Sequence, residues 1–296
     1  MNDRLVFERD GQDWPNRDAS RFVEAAGLSW HVQVMGQGPL VLLVHGTGAS
    51  THSYGQLAQI LAKAFTVVVP DLPGHGFTDL PASERLSLPG MAEDLGQLLD
   101  ALDLHPVLAV GHSAGAAILV QMCLDGRSAP AGLVSINGAL LPFGSIAGQF
   151  FAPFAKLLVL NPFVPWFISW RAASPDAVAR LIKNIGSTIE PQDVERYGRL
   201  FQTESHVSAA LGMMAHWDLF TLERNLHRLE VPLVLAVGSA DRAISPEDAF
   251  RVREHLPEAQ VVLLHGLGHL AHEERPEEVA EIIVKAAQSA DAFTAL

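Results

Sequence analysis

An apolar run, Val107-Leu108-Ala109-Val110, passes directly into Gly111-His112-Ser113-Ala114-Gly115, and Ala116-Ala117-Ile118-Leu119-Val120 follows. The pattern reads as a strand, a sharp turn and a helix, with a serine at the apex. So apolar a strand must be buried on both faces, which points to a parallel sheet. Gly111 and Gly115 leave room for the turn to close and for the helix to pack against the strand. The helix N-terminus then aims its free amides at any negative charge that forms beside the Ser113 hydroxyl. A chain built this way folds around a sheet with crossover helices and presents Ser113 at the carboxyl end of a strand.

The rest of the chain keeps that rhythm. Phe22-Val23-Glu24 and Trp30-His31-Val32-Gln33-Val34 predict a hairpin around Gly27. Buried strands are predicted over residues 40–44, 66–69, 107–110, 133–136, 233–237 and 261–264. Helices are predicted over 54–64, 91–102, 114–124, 246–255 and 276–289. The interval 139–230 breaks the alternation. It carries Phe143, Phe150, Phe151, Phe154, Phe163, Trp166, Phe167 and Trp170 between prolines, then helical patterns at 178–185 and 194–201. It is expected to be a helical cap inserted into a core formed by 1–138 and 231–296.

The chain has 296 residues, of which 49% are hydrophobic, enough for a large core. Its net charge of −13, from 20 basic and 33 acidic residues, opposes nucleic-acid binding and a polybasic membrane patch. The single cysteine, Cys123, excludes internal disulfides and fits a reducing, cytoplasmic setting. It is expected to be a buried structural thiol. The charged N-terminal stretch is not a signal peptide. Residues 128–155 carry no charge and are long enough to span a bilayer. Pro130, Pro142, Pro153, Asn137 and Gln149 instead favour a strand followed by an apolar lid. Such a lid would also allow weak contact with a membrane surface.

A serine hydroxyl becomes a useful nucleophile only when a base takes its proton and an acid orients that base. With the serine on an elbow, the acid and then the histidine follow later in the chain. Of the 13 histidines, His269 is the candidate base, because it follows the last strand and precedes the final helix. His265 would lie at the strand end, and His272 would support the loop. Asp241, in Gly238-Ser239-Ala240-Asp241, is the candidate acid. The other natural acid position is held by the uncharged Asn137, while Asp218 falls in the cap and Asp71 in an early turn. For an oxyanion hole, Ala114 supplies one amide and Thr47, in His45-Gly46-Thr47-Gly48, another. His45 and His112 are assigned structural roles.

These residues, together with Asp71-Leu72-Pro73-Gly74-His75-Gly76, give the chain a resemblance to the α/β-hydrolase superfamily over nearly its whole length. The resemblance implies a mostly parallel central sheet with helices on both faces and an inserted helical cap. Dehalogenases and epoxide hydrolases of this fold use an aspartate nucleophile, so Ser113 argues against both.

A narrower set of segments resembles the magnesium-chelatase accessory proteins of bacteriochlorophyll biosynthesis. These are Trp14-Pro15-Asn16-Arg17, the run from His45 through Ser53, the elbow, Asn137-Gly138-Ala139-Leu140-Leu141-Pro142-Phe143, and Gly266-Leu267-Gly268-His269-Leu270-Ala271-His272-Glu273-Glu274. That likeness implies a role in a photosynthetic bacterium near magnesium insertion into protoporphyrin IX, with magnesium chelatase as an implied partner. Two readings follow. In one, the chain is a serine hydrolase acting on an ester-type bond of an apolar small molecule. In the other, it is a non-catalytic protein that binds a porphyrin or assists the chelatase. The aromatic cap, with Met213, Met214, His216 and Trp217, suits a large flat ligand as well as ordinary packing. No cofactor and no bound metal are expected.

Overall fold

The computed structural model describes residues 4–142 and 175–290. Its centre is an eight-stranded sheet in the order β1-β2-β4-β3-β5-β6-β7-β8. The strands are β1 (Ser20–Ala25), β2 (Leu28–Met35), β3 (Leu40–Val44), β4 (Thr66–Pro70), β5 (Leu108–His112), β6 (Gly132–Ile136), β7 (Leu233–Gly238) and β8 (Gln260–Leu264). The β1–β2 hairpin pairs antiparallel to β4, and all pairings from β4 to β8 are parallel. The fold class expected from the sequence is thus the one found.

Strand periodicity divides the core in two. Leu42, Val44, Ala109 and Leu133 face one side, where the helices Leu88–Ala101 and Ala114–Leu124 cover them. Val41, Leu43, Leu108, Val110 and Val134 face the other, against the helices Gly55–Leu61 and Pro276–Ser289. The elbow helix Ala114–Leu124 is apolar around nearly its full circumference, as it must be between a sheet and other helices. Cys123 lies on its flank and is half-buried, not fully buried as expected. Burial still pushes the thiol up to about 12.

Boundaries moved by small amounts. β5 begins at Leu108 and continues through Gly111 and His112. The helix expected at 54–64 spans Gly55–Leu61, preceded by the tight turn Thr51–Tyr54. The helix expected at 91–102 starts at Leu88, where Ser87 caps the amide of Gly90.

Between β6 and β7 the described chain forms the helices Pro175–Asn184, Pro191–Phe201, Glu204–His216 and Leu219–Asn225. The first two match the predicted patterns. Glu204–His216 is buried on most sides and carries no amphipathic stripe, so its period is invisible in the sequence. Leu219–Asn225 is short, and its only cue is Asp218, whose carboxylate accepts from the Phe220 and Thr221 amides. The aromatic residues Phe143 to Trp170 lie outside the described residues, as does most of the uncharged stretch beyond β6. Among the described residues, no helix is long and apolar enough to cross a membrane.

Candidate active site

Ser113 has φ 51° and ψ −117°, a left-handed conformation costly for a residue with a side chain. Three backbone bonds hold it there. Its amide donates to Ile136 O (3.0 Å), and its carbonyl accepts from Ala116 (3.2 Å) and Ala139 (3.0 Å). A Cβ on Gly115 would stand 2.2 Å from the Val44 carbonyl oxygen, so only glycine lets the helix start this close to β3. A Cβ on Gly46 would stand 2.9 Å from the Ser113 Cβ. The His45–Gly48 turn is therefore pressed against the elbow at Gly46. Ala114 opens the helix, where an amide has no partner within the helix itself.

Asp241 follows β7 and uses its two oxygens differently. Oδ1 accepts from the amides of Ala243 (2.7 Å) and Ile244 (3.0 Å), and Oδ2 accepts from His269 Nδ1 (2.8 Å). The His269 loop is fastened to the elbow by its own carbonyl, which accepts from His112 Nε2 (2.9 Å) and Asn137 Nδ2 (2.9 Å). Asn137 also donates to Gly268 O (2.9 Å) and accepts from the Gly238 amide (2.7 Å). It thus joins the ends of β6 and β7 to the histidine loop. The position that could have carried an acid instead carries a clamp.

The other candidates separate cleanly. His45 donates from Nδ1 to Gly46 O (2.8 Å) and accepts at Nε2 from the Leu72 amide (2.9 Å), which leaves neither nitrogen for chemistry. Burial lowers the pKa of His45, and it pushes His112 well down, helped by the nearby His272 and His269 rings. His265 is exposed beyond β8. Met213 is buried with its sulfur 4.0 Å from Thr47 Oγ1. Asp71 is a buried hub: it accepts from the Thr51 amide (2.6 Å), the Phe77 amide (2.9 Å) and His31 Nδ1 (2.7 Å). Burial alone would raise its pKa. The His31 charge and hydrogen bond, His45 and the Phe77 amide outweigh burial and hold the carboxyl well below its usual range.

One polar cluster escaped the sequence. Glu273 Oε1 accepts from Ser53 Oγ (2.6 Å) and Tyr197 OH (2.7 Å), and Ser53 Oγ is 2.8 Å from His272 Nε2. The Glu273 side chain is only 4% exposed. Burial raises its pKa to about 8; Ser53 and Tyr197 oppose that rise, and Asp193 and Glu274 add to it. Nothing in Glu273-Glu274 marks one carboxyl as buried, since the partners come from far-off segments.

The consequence for stability has the reverse of the usual carboxylate sign. Between the ordinary value of 4.5 and about 8 the unfolded chain loses this proton first, so the fold loses stability as pH rises. Glu273→Gln imitates the protonated acid and removes that loss. Its melting temperature relative to the parent should climb by a few degrees between pH 5 and pH 8.5, as read by circular dichroism. A constant difference across the range would show that Glu273 does not titrate there.

The geometry defines a class. A model of the alpha/beta hydrolase family matches residues 41–282, and the chain belongs to that family. Within it, the chain is similar to the magnesium-chelatase 30 kDa subunit of Rhodobacter capsulatus. The two are 36% identical over 274 residues, 92% of this chain and 95% of the relative. Solved structures share the fold. A thermophilic esterase from Thermogutta terrifontis superposes with a TM-score of 0.74 at 23% identity, over 92% of this chain and 98% of the esterase. A haloalkane dehalogenase loop variant from Bradyrhizobium elkanii superposes with a TM-score of 0.75 at 20% identity, over 93% and 98%.

Proposed function

We propose that this chain is a serine hydrolase acting on an ester-type bond of an apolar small molecule, in the cytoplasm, in support of bacteriochlorophyll synthesis near magnesium insertion. The observation that carries the chemistry is the strained Ser113 on a turn fastened to the loop of a buried His269–Asp241 pair. Ser113 Oγ attacks the carbonyl carbon while His269 Nε2 takes its proton. The amides of Thr47 and Ala114 hold the oxyanion. Collapse expels the alcohol, which leaves with the proton from His269, and water then cleaves the acyl-enzyme by the same steps in reverse. Residues 139–230 act as the cap over this site. The pathway role rests on the similarity to the chelatase subunit, and a porphyrin ester and contact with magnesium chelatase are its natural extensions.

A fluorophosphonate probe is expected to label the folded protein at Ser113, mapped by mass spectrometry, and not to label Ser113→Ala. An unlabelled parent protein with a normal melting curve would overturn catalysis and favour the porphyrin-binding or chelatase-assisting reading.

A further inference from the structure

The helix Glu204–His216, from the chain between β6 and β7, brings one side chain to the His45–Gly48 turn. His206 is fully buried; its Nδ1 accepts from the Gly76 amide (3.1 Å) and its Nε2 donates to the Gly48 carbonyl (3.1 Å). Burial pushes the ring down to about 4, so it is neutral at pH 7 and carries one proton. An amide can only donate, so the Gly76 contact puts that proton on Nε2, facing Gly48 O. The His75 ring packs edge-on at 4.9 Å and the Phe201 ring at 6.2 Å, which fixes the plane of the imidazole. His45 follows the same logic: the Leu72 amide takes Nε2, and the Nδ1 proton goes to Gly46 O. Two amides from the segment after β4 thus dictate two imidazole tautomers. Both rings deliver their proton to a carbonyl of one turn.

The order of peptides in that turn gives the His206 bond its consequence. In a trans peptide the C=O and the N–H point in opposite directions. His206 holds Gly48 O, so the Ala49 amide of the same peptide points back into the turn, where it donates to Gly46 O (3.2 Å). Gly46 O, held by Ala49 and by His45, sets in turn the direction of the Thr47 amide, which donates to no acceptor among the described residues. Gly48 has φ 78°, a region in which glycine turns freely, so an outside donor is what keeps its carbonyl in place. We propose that His206 is a positioning residue for the oxyanion hole: through the Gly48 and Gly46 peptides it aims the Thr47 amide at the oxygen that becomes negative on attack. The inference rests on the serine-hydrolase reading of Ser113 and Thr47. The bonds run in one chain, so each peptide polarises the next and strengthens the last donor. The segment between β6 and β7 then shapes the chemistry as well as covering it.

The test follows fluorophosphonate labelling of Ser113 over a range of probe concentrations, with the melting temperature of each variant read by circular dichroism. Two substitutions separate the two bonds, because an asparagine side-chain amide falls near the place of Nδ1 and a glutamine amide near that of Nε2. His206→Asn keeps an acceptor for the Gly76 amide and loses the donor to Gly48 O. Its limiting labelling rate is expected to fall about tenfold or more, with the half-saturating probe concentration and the melting temperature nearly unchanged. His206→Gln keeps the donor and abandons the Gly76 amide, so it should label within about threefold of the parent while melting several degrees lower. A purely structural histidine would make rate and stability fall together. His206→Asn labelled at the parental limiting rate, or a rate loss that tracks the melting temperature in both variants, would overturn this inference and leave the hydrolase reading standing. A folded parent that takes no label overturns the hydrolase reading, and this inference with it.

Discussion

Asp241→Asn is expected to slow fluorophosphonate labelling of Ser113 by about 10³–10⁴-fold while the melting temperature shifts little. The reason lies in how the carboxylate is shared. Two amides, from Ala243 and Ile244, demand an oxygen at the Oδ1 position. An asparagine therefore keeps its oxygen there and turns its NH₂ group toward His269 Nδ1. A donor facing Nδ1 forces that nitrogen to be the acceptor and moves the ring proton to Nε2. The base then has no lone pair to take the Ser113 proton. Asp241→Ala should show both losses, slow labelling and a lower melting temperature, because the turn amides also lose their partner. Labelling of Asp241→Asn at the parent rate would remove Asp241 from its orienting role.

Asp71→Asn should cost about 3–5 kcal/mol in urea unfolding. The asparagine cannot serve all three donors of the hub, so one of the Thr51 amide, the Phe77 amide or His31 Nδ1 faces an NH₂ group. The buried His31 ring also loses the carboxylate that fixes its Nδ1. There is no space to relax: a Cβ at Gly76 would sit 2.1 Å from Asp71 Oδ2. The sign with pH follows from a depressed carboxyl. The parent's advantage is complete above the ordinary value of 3.8 and fades as pH falls below it. A cost under about 1 kcal/mol at pH 7 would mean that the hub is dispensable.

The elbow was legible because strand, turn and helix are each local and their residue types leave little choice. Leu40–Val44 and Ala114–Leu124 were located to the residue, and Pro276–Ser289 as well, because their apolar patterns end at clear turn signals. Asp241 and His269 could be named because chain order limits where an acid and a base can arise, and they do form a hydrogen-bonded pair. What stayed hidden depends on contacts between distant segments. Asn137 reads as a strand end, and only the fold reveals that it holds two loops. Glu273 looks like one of several exposed acids, and only Ser53 and Tyr197, 220 and 76 residues away, make it a buried one. The buried helix Glu204–His216 lacked a polar face to betray its period.

The helix Pro191–Phe201 is held at two places. Tyr197 anchors it to Glu273, and the Phe201 ring at its far end lies over Gly48, one residue from Thr47. Three turns of helix are stiff, so the two ends cannot move independently. The Glu273 contact at Tyr197 and the ring over Gly48 are therefore set by one rigid piece. The helix is in effect a strut: it ties the Ser53 turn, the Gly48 loop and the Glu273 segment, which come from opposite ends of the chain, into one unit.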